Sequence, residues 1–221
     1  MARDTLTADQ IVTAAIELLD EEGLDGLNMR SLGERLGSAA TAIYWHIKTK
    51  DDLLRLAADA IWFEVDLPDL DDWRAAAAGM ATGMHAMLTR HPWLGQAFGG
   101  HLLYGPGKFR CDQHNLAVYE RAGFSPADAD RAAATVFVFV LGSALAPAAE
   151  VALRRRLGRN GKDAEAAIGD ALAKATEVAR EFPLLRARLH TVAATDYYAS
   201  PESSFEFGLN TILDGFAARL P

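Results

Sequence analysis

The chain has 221 residues, of which 50% are hydrophobic and 24% are charged, and its formal net charge at pH 7 is −8. This composition is typical of an ordinary soluble protein of one or two domains that buries most of its apolar surface. The single cysteine, Cys111, excludes an internal disulfide, and no segment with a basic start and an apolar core precedes Thr5. Both features predict a reducing, cytoplasmic location.

The first helix is predicted from Thr7 to Glu22. Its apolar residues recur at spacings of three and four and share one face: Ile11, Ala14, Ala15, Leu18 and Leu19. Thr7 and Gln10 have the pattern of a capping box, and Gly23 suits the left-handed position that ends a helix. This helix therefore has a predicted start, face and end.

Two short helices are predicted to follow. Asn28 can cap a helix that stops at Gly37, and another short helix is expected at about 39–45. Two short helices joined by a tight turn suggest a helix-turn-helix unit. A longer helix then opens at Thr49, whose hydroxyl can cap it, and its periodic apolar residues extend to about Asp66.

Charge is unevenly distributed in this region. Residues 1–50 hold five basic and eight acidic side chains, but the acids collect on the first helix and the turn after it. Between residues 28 and 50, only Glu34 opposes four basic residues, and the local charge is therefore plus three: Arg30, Arg35, Lys48 and Lys50. Phosphate contacts require such a concentrated patch, because each neutralised phosphate releases counterions. The patch therefore favours DNA binding.

Residues 19–54, LDEEGLDGLNMRSLGERLGSAATAIYWHIKTKDDLL, closely resemble the DNA-binding domain of TetR-type transcriptional regulators. The resemblance covers about residues 7–61, and a weaker one covers FEFGLNTILDGF at 205–216, which is similar to the last helix of tetracycline-repressor-like regulators. It implies an all-α protein with a three-helix helix-turn-helix DNA-binding domain at 1–50 and a connecting helix at 49–66. A helical ligand-binding and dimerisation domain is expected at 67–221.

DNA contacts are expected around the end of the recognition helix. Tyr44 and His46 can donate to phosphate oxygens, and Lys48 and Lys50 supply positive charge. Trp45 is expected to pack against the neighbouring helices, with a phosphate contact through its indole N–H as the alternative.

Base contacts are expected from the start of the same helix, where the side chains are small: Ser38, Ala39, Ala40, Thr41 and Ala42. They can approach thymine methyl groups, but none has the bidentate reach of Arg, Asn or Gln. Tetracycline repressors carry longer residues at these positions, so their operator sequence is not expected here. The resemblance also implies that Arg30 reaches a phosphate or a base edge.

The second half of the chain is also predicted to be helical, with helices at about 73–90, 107–121, 125–157, 163–182 and 202–219. Residues 91–108, HPWLGQAFGGHLLYGPGK, are rich in glycine and are predicted to be irregular, shaping the mouth of a cavity. They do not form a phosphate loop, because Pro106 stands where the lysine of that motif is required. A looser stretch is expected before residue 200.

Residues 132–149, AAATVFVFVLGSALAPAA, form an uncharged run that is long enough to cross a membrane. The alternation within it also permits a strand. Its alanine-rich flanks and scattered small residues favour instead a soluble helix that is buried on all sides, with a kink at Pro147.

Effector-binding residues are predicted from aromatic, methionine and histidine side chains in the second half: Met84, Trp93, His101, Tyr104, His114 and Phe137. Core filling is the commoner use of methionines, and a metal site at Cys111 and His114 is a weak alternative. Tetracycline itself is disfavoured, since Asp66 stands where its repressors are expected to have a histidine. The resemblance implies a dimer interface formed by the long helix and the last helix: Val136, Val140, Leu209, Leu213 and Phe216.

These features predict a dimeric repressor that a small apolar molecule releases from a palindromic DNA operator. No metal, cofactor or membrane is expected. The alternative is a helical small-molecule-binding protein or enzyme without sequence-specific DNA binding, but serine-hydrolase, zinc-protease, Rossmann and Walker motifs are missing from the sequence. Activation of transcription instead of repression is also compatible with this sequence.

Overall fold

The computed structural model describes residues 6–159, 161, 163–189 and 201–220, and every regular element in these ranges is a helix. The all-α prediction is therefore confirmed. The helices are α1 (Ala8–Glu22), α2 (Met29–Arg35), α3 (Ala40–His46), α4 (Lys50–Ile61), α5 (Trp73–Arg90), α6 (Pro92–Ala97), α7 (Pro106–Ala122), α8 (Pro126–Arg159), α9 (Ala164–Ala179), α10 (Pro183–Arg188) and α11 (Pro201–Ala217).

The helices α1 to α4 form the head of the molecule, and local caps fix where they begin. The backbone N–H of Gln10 donates to Thr7 Oγ1 (3.2 Å), and the Thr7 N–H donates back to Gln10 Oε1 (2.9 Å). Asn28 accepts from the N–H of Ser31, and Thr49 accepts from the N–H of Asp52. The three caps predicted from the sequence are thus confirmed.

A tight turn sets α3 against α2. Gly37 has a φ of 59°, which side chains rarely adopt, and a Cβ on Gly33 would lie 2.7 Å from the carbonyl oxygen of Ser38. Glycine at both positions therefore lets the chain reverse closely. Ile43 on the inner face of α3 and Ile47, the residue that follows the helix, are buried and hold α3 in the head, leaving its other face toward solvent.

The long helix α8 organises the second half by packing against α5, α6, α7, α9 and α11. Its buried residues recur every three or four positions on one face: Ala129, Ala132, Val136, Val140, Ala144 and Ala148. The prediction of burial on all sides is wrong, because Val138 on the opposite face is 66% exposed. The helix has the length and composition of a membrane span, but core helices of soluble proteins share those properties.

Two parts of the second half differ from the sequence prediction. Residues 91–108 are more regular than expected, because Pro92 and Pro106 each occupy the first turn of a helix, α6 and α7. The expected looser stretch contains α10, and residues 190–200 lie outside the described ranges. The helix α8 continues through Pro147, and α9 contains no buried residue.

Candidate nucleic-acid interface and domain junction

The end of α3 presents aromatic side chains to solvent. Trp45 is 81% exposed, and Tyr44, His46 and Lys48 beside it are also exposed. The prediction that Trp45 packs against neighbouring helices is therefore wrong. The buried residues here are Ile43, on the inner face of this short helix, and Ile47, just after its end, and Trp45 lies between them in sequence on the outer face.

Lys48 is held next to this indole. Its ammonium group donates to the carbonyl oxygens of Tyr44 (3.2 Å) and Trp45 (3.4 Å), at the carboxyl end of α3 where a cation is favoured. The same nitrogen lies 5.9 Å from the centroid of the Trp45 ring. An exposed indole and a positioned cation therefore share one surface, which suits contact with a phosphate backbone.

The basic patch carries less unpaired positive charge than the four basic residues between 28 and 50 indicate. Arg35 forms ion pairs with Glu17 (3.5 Å) and Glu21 on α1, so the acids of α1 neutralise it. Lys50 remains exposed, but its ammonium group donates to the carbonyl of Leu24 (3.3 Å). Arg30 is exposed and has only a long contact of 3.9 Å to Glu34, an i,i+4 neighbour. The residues predicted to read bases line up at the start of α3, with Thr41 exposed and Ser38 and Ala40 half-buried.

A buried histidine joins the head to the second half of the chain. His91, between α5 and α6, lies with Nδ1 2.7 Å from Asp20 on α1 and Nε2 3.1 Å from Glu64, which follows α4. Burial by itself lowers the pKa of His91, but the hydrogen bonds and charges of the two carboxylates together outweigh it and raise the pKa above its ordinary value. Trp93 Nε1 also donates to Asp20 (2.8 Å). This cluster is not predicted from the sequence.

The connecting helix α4 is also tied to α7. Asp59 accepts a hydrogen bond from the backbone N–H of Lys108 (3.0 Å), in the first turn of α7. Arg110 donates to the carbonyl oxygens of Trp62 (3.3 Å) and Val65 (2.7 Å), in and just after the single 3₁₀ turn that ends α4. These hydrogen bonds link the first turns of α7 to the end of α4.

The six predicted effector-binding residues lie in different environments. Met84 is buried in the core, and Trp93 lies at the junction with its indole bound to Asp20. His101 is 3.6 Å from Asp51, and Tyr104 is exposed with its ring 5.0 Å from the Arg55 guanidinium carbon. Neither of these last two therefore lies in the interior.

Phe137 belongs to an interior aromatic cluster that is not predicted from the sequence. Its ring lies 6.2 Å from that of Trp62 and 5.5 Å from that of Phe98. The ammonium group of Lys108 lies 5.6 Å from the centroids of both the Trp62 and the Phe137 rings, and it pairs with Asp112 at 2.6 Å. Trp62 Nε1 is buried and has no hydrogen-bond partner in the described structure, so it is a donor available to a guest molecule.

Cys111 and His114 have separate partners. The Cys111 thiol is buried and contacts the carbonyl oxygen of Trp62 (3.6 Å), and burial raises its pKa. His114 Nε2 lies 2.8 Å from the carbonyl oxygen of Pro68. Among the residues that the structure describes, no group of three His, Cys, Asp or Glu side chains is placed to hold a metal ion.

The predicted dimer interface requires a correction. Val136, Val140, Leu209 and Leu213 are at most 5% exposed within the single chain, so they cannot form a surface for a second copy. Their apolar stripe faces the core of the same chain, where α8 packs against α11. Phe216 is half-buried, with its ring 5.8 Å from that of Tyr119.

A capped helix-turn-helix with an exposed aromatic and basic surface, followed by a larger helical unit, defines a DNA-binding protein of the helix-turn-helix class. Two family models match the chain: bacterial regulatory proteins of the tetR family at residues 11–57, and the tetracyclin repressor-like C-terminal domain at residues 67–220. The chain belongs to the TetR family of bacterial transcriptional regulators, and the sequence resemblance to it is confirmed.

Individual relatives agree with this. An HTH-type transcriptional regulator of Saccharopolyspora erythraea is 41% identical over 140 residues, which make up 62% of this chain and 59% of that protein, less than two thirds of its length. Tetracycline repressor protein class A from transposon 1721 of Escherichia coli is 33% identical over 97% of this chain and 92% of its own. Among solved structures, the Streptomyces coelicolor TetR family protein ActR in complex with actinorhodin has a TM-score of 0.77 and 25% identity, covering 99% of this chain and 98% of that chain. This chain is accordingly a DNA-binding transcriptional regulator with a ligand-responsive architecture.

Proposed function

We propose that the chain is a cytoplasmic repressor that binds a palindromic DNA operator as a homodimer and is released by a small molecule. The observation that carries the proposal is the exposed surface at the end of α3, where Trp45 lies beside Lys48. On this account the phosphates are contacted by the side chains at and after the end of α3: Tyr44, Trp45, His46, Lys48 and Lys50. Contacts at or near the bases come from Arg30 and from three small side chains, those of Ser38, Ala40 and Thr41. The small size of these three predicts a preference based on thymine methyl groups and shape.

The dimer surface is proposed on the exposed faces of α8 and α11, opposite the stripes that are buried within the single chain. The outward face of α8 carries Ala134, Val138 and Leu145, and Phe207 on the neighbouring α11 is 76% exposed. Aromatic and aliphatic side chains exposed together on adjacent helices are typical of a surface that a second copy covers. A twofold dimer places the two recognition helices about 34 Å apart, one turn of DNA.

Phe207→Asp tests this surface without touching the core. A buried carboxylate at a twofold interface is expected to convert the dimer to a monomer and to weaken operator binding by roughly 100-fold or more, since only one head then binds. Sedimentation measures the mass, and Phe182→Asp, on another exposed aromatic, is the matched control. A Phe207→Asp variant that remains dimeric would show that the interface lies elsewhere on the chain.

The effector is proposed to enter the helical domain near Phe137, Trp62 and Lys108. Aromatic rings provide apolar contact area, and the buried indole N–H of Trp62 offers one directed donor. The structure of ActR with actinorhodin supports the idea that a domain of this fold accepts an organic molecule. This chain's activity is then binding and release rather than turnover.

Coupling to DNA is proposed to run through the two connections of α4. An effector that displaces Lys108 would act on Asp59 of α4 directly, since the two residues share a hydrogen bond. Arg110 carries the same movement to the turn after α4. The effector releases DNA only to the extent that it prefers the displaced arrangement, typically a coupling of about 1–3 kcal/mol.

The test is to capture genomic DNA fragments with the purified protein at physiological salt and to sequence what is retained. One or a few palindromic sites, bound at least about 10³-fold more tightly than random DNA, are expected. Candidate effectors are then added to the captured complex, and release is measured. Uniform weak retention would favour the alternative of a helical small-molecule-binding protein without sequence-specific DNA binding.

A further inference from the structure

A cavity of about 640 Å³ lies between the head and the carboxyl-terminal half of α8, away from the aromatic cluster around Phe137. One wall is apolar and comes from α8, with Ala148, Ala152 and Leu153. Pro92 and Trp93 of α6 close a second side. The volume lies within the range of about 300–1,000 Å³ that holds drug-sized ligands.

The polar side of this cavity is basic. Three arginines near the carboxyl end of α8 line it: the adjacent Arg155 and Arg156, and Arg159 one turn later. Glu22 and Asp25 line the same cavity from the head. The formal balance of these five charges is plus one. Such a balance favours a ligand with a single negative charge over a polyanion.

Two of these arginines are held in place by hydrogen bonds to backbone carbonyls of α1. Arg155 donates through Nη2 to the carbonyl oxygen of Asp20, and Arg159 donates through Nη2 to that of Glu22, at the carboxyl end of α1. A guanidinium group has five N–H donors, so each can keep its carbonyl bond and still donate to an anion. Arg156 is exposed beside them.

We infer that this cavity is a second small-molecule site, which takes a monoanionic amphipathic ligand such as an organic acid with a flat apolar body. The carboxylate or sulfonate group lies among the arginines, and the apolar body lies against the alanine wall of α8 and Pro92. Because Arg155 and Arg159 also hold the end of α1, the occupied site contacts the head and α8 at once. The site does not depend on the effector site proposed near Phe137.

The test uses a matched pair of fluorescent probes, 1-anilinonaphthalene-8-sulfonate and its uncharged analogue N-phenyl-1-naphthylamine, on the full chain. The anion is expected to bind about 10-fold or more tightly than the neutral analogue, which corresponds to about 1.4 kcal/mol. Arg156→Glu should remove most of this preference, whereas Arg131→Glu, exposed on the same helix but outside the cavity, should not change it.

Ala152→Trp fills the cavity and should abolish binding of the anion, whereas Ala173→Trp, on the exposed side of α9, should leave it intact. Circular dichroism melting checks that each variant is folded; if Ala152→Trp is not, the comparison of Arg156→Glu with Arg131→Glu decides. The inference is overturned if the Arg156→Glu variant retains the wild-type preference for the anion, or if Phe137→Ala abolishes anion binding. No DNA is present in these measurements, so their failure and a failure to capture an operator are separate results.

Discussion

Two lysines in this protein lie over tryptophan rings at similar distances but in opposite surroundings. Lys48 is 5.9 Å from the centroid of Trp45, whose side chain is 81% exposed, and Lys108 is 5.6 Å from that of Trp62, which is 1% exposed. Lys108 is paired with the carboxylate of Asp112 at 2.6 Å, whereas Lys48 donates to main-chain carbonyls. The surroundings therefore decide the use of the same pair of groups: Lys48 and its exposed ring can meet a polyanion, whereas Lys108 lies over a buried ring and is neutralised by Asp112.

The largest expected difference between the two sites is in stability. Trp62→Ala should lower the free energy of unfolding by about 3–5 kcal/mol, because it leaves a large cavity in the core. Trp45→Ala should change it by about 0.5 kcal/mol or less, since the ring is mostly in water. Urea unfolding of both variants measures this. Equal losses of unfolding free energy in the two variants would mean that Trp45 packs against the protein in solution.

For DNA binding, the exposed Trp45 and Lys48 site should matter more than the buried Trp62 site. Trp45→Ala and Lys48→Ala are each expected to weaken operator binding about 10-fold, and Lys48→Ala should also reduce the dependence of log K on log salt by about one. Lys174→Ala, an exposed lysine on α9, is the control and should leave both quantities unchanged. An unchanged salt slope in Lys48→Ala would remove this lysine from the phosphate contacts.

His91 lies between these two regions and should give a smaller, pH-dependent effect. Its pKa is raised in the folded chain, so the stability from its charged form is complete below the unfolded value of about 6.5 and is lost as pH rises through the folded pKa. The stability advantage of the wild type over His91→Gln should therefore shrink between pH 6 and pH 9. Thermal melting at each pH measures this difference, since each kcal/mol of stability corresponds to roughly 2–4 °C in melting temperature for a chain of this size.

The matched variant for this effect is Asp20→Asn, which removes the carboxylate that faces His91 Nδ1. It should weaken the same pH dependence, although Glu64 still faces Nε2 and Arg90 is paired with Glu64. Parallel melting curves for the wild type and His91→Gln across this pH range would show that the charge of His91 does not stabilise the junction.

The smallest effect is expected at Arg30. Its contact with Glu34 is long and exposed, so Arg30→Ala should change the free energy of unfolding by less than about 0.5 kcal/mol. Operator affinity should nevertheless fall several-fold if Arg30 reaches the DNA, as proposed. A gel-shift titration measures this, and an unchanged affinity would restrict the interface to α3 and the lysines that follow it.

The structure was predictable from the sequence where a few neighbouring residues decide it. The caps at Thr7, Asn28 and Thr49 are examples, because donor and acceptor lie within three residues of each other. The outward face of α8 was not predictable, because the uncharged run at 132–149 has no charged side to mark its orientation. Which of the two faces, that of Val136 or that of Val138, is buried is decided by the helices that pack against α8.

The junction cluster was not predictable for another reason. Asp20 and His91 are 71 positions apart, and buried polar residues resemble ordinary surface residues in a sequence. Trp45 illustrates the converse problem, since a large aromatic residue in a short helix predicts burial on average. Its exposure follows from the burial of Ile43 in α3 and of Ile47 just after it, which turn the inner face of the helix toward the core and leave Trp45 on the other face.

The most direct test of the central claim is ethylation interference on the captured operator, which identifies the phosphates whose modification blocks binding. The wild type should show two symmetry-related groups of blocking phosphates about one helical turn apart, and Lys48→Ala should lose part of each group. Such a result would place both copies of the α3 surface on DNA. A single group, or a pattern that Lys48→Ala leaves unchanged, would contradict operator binding by a dimer through this surface.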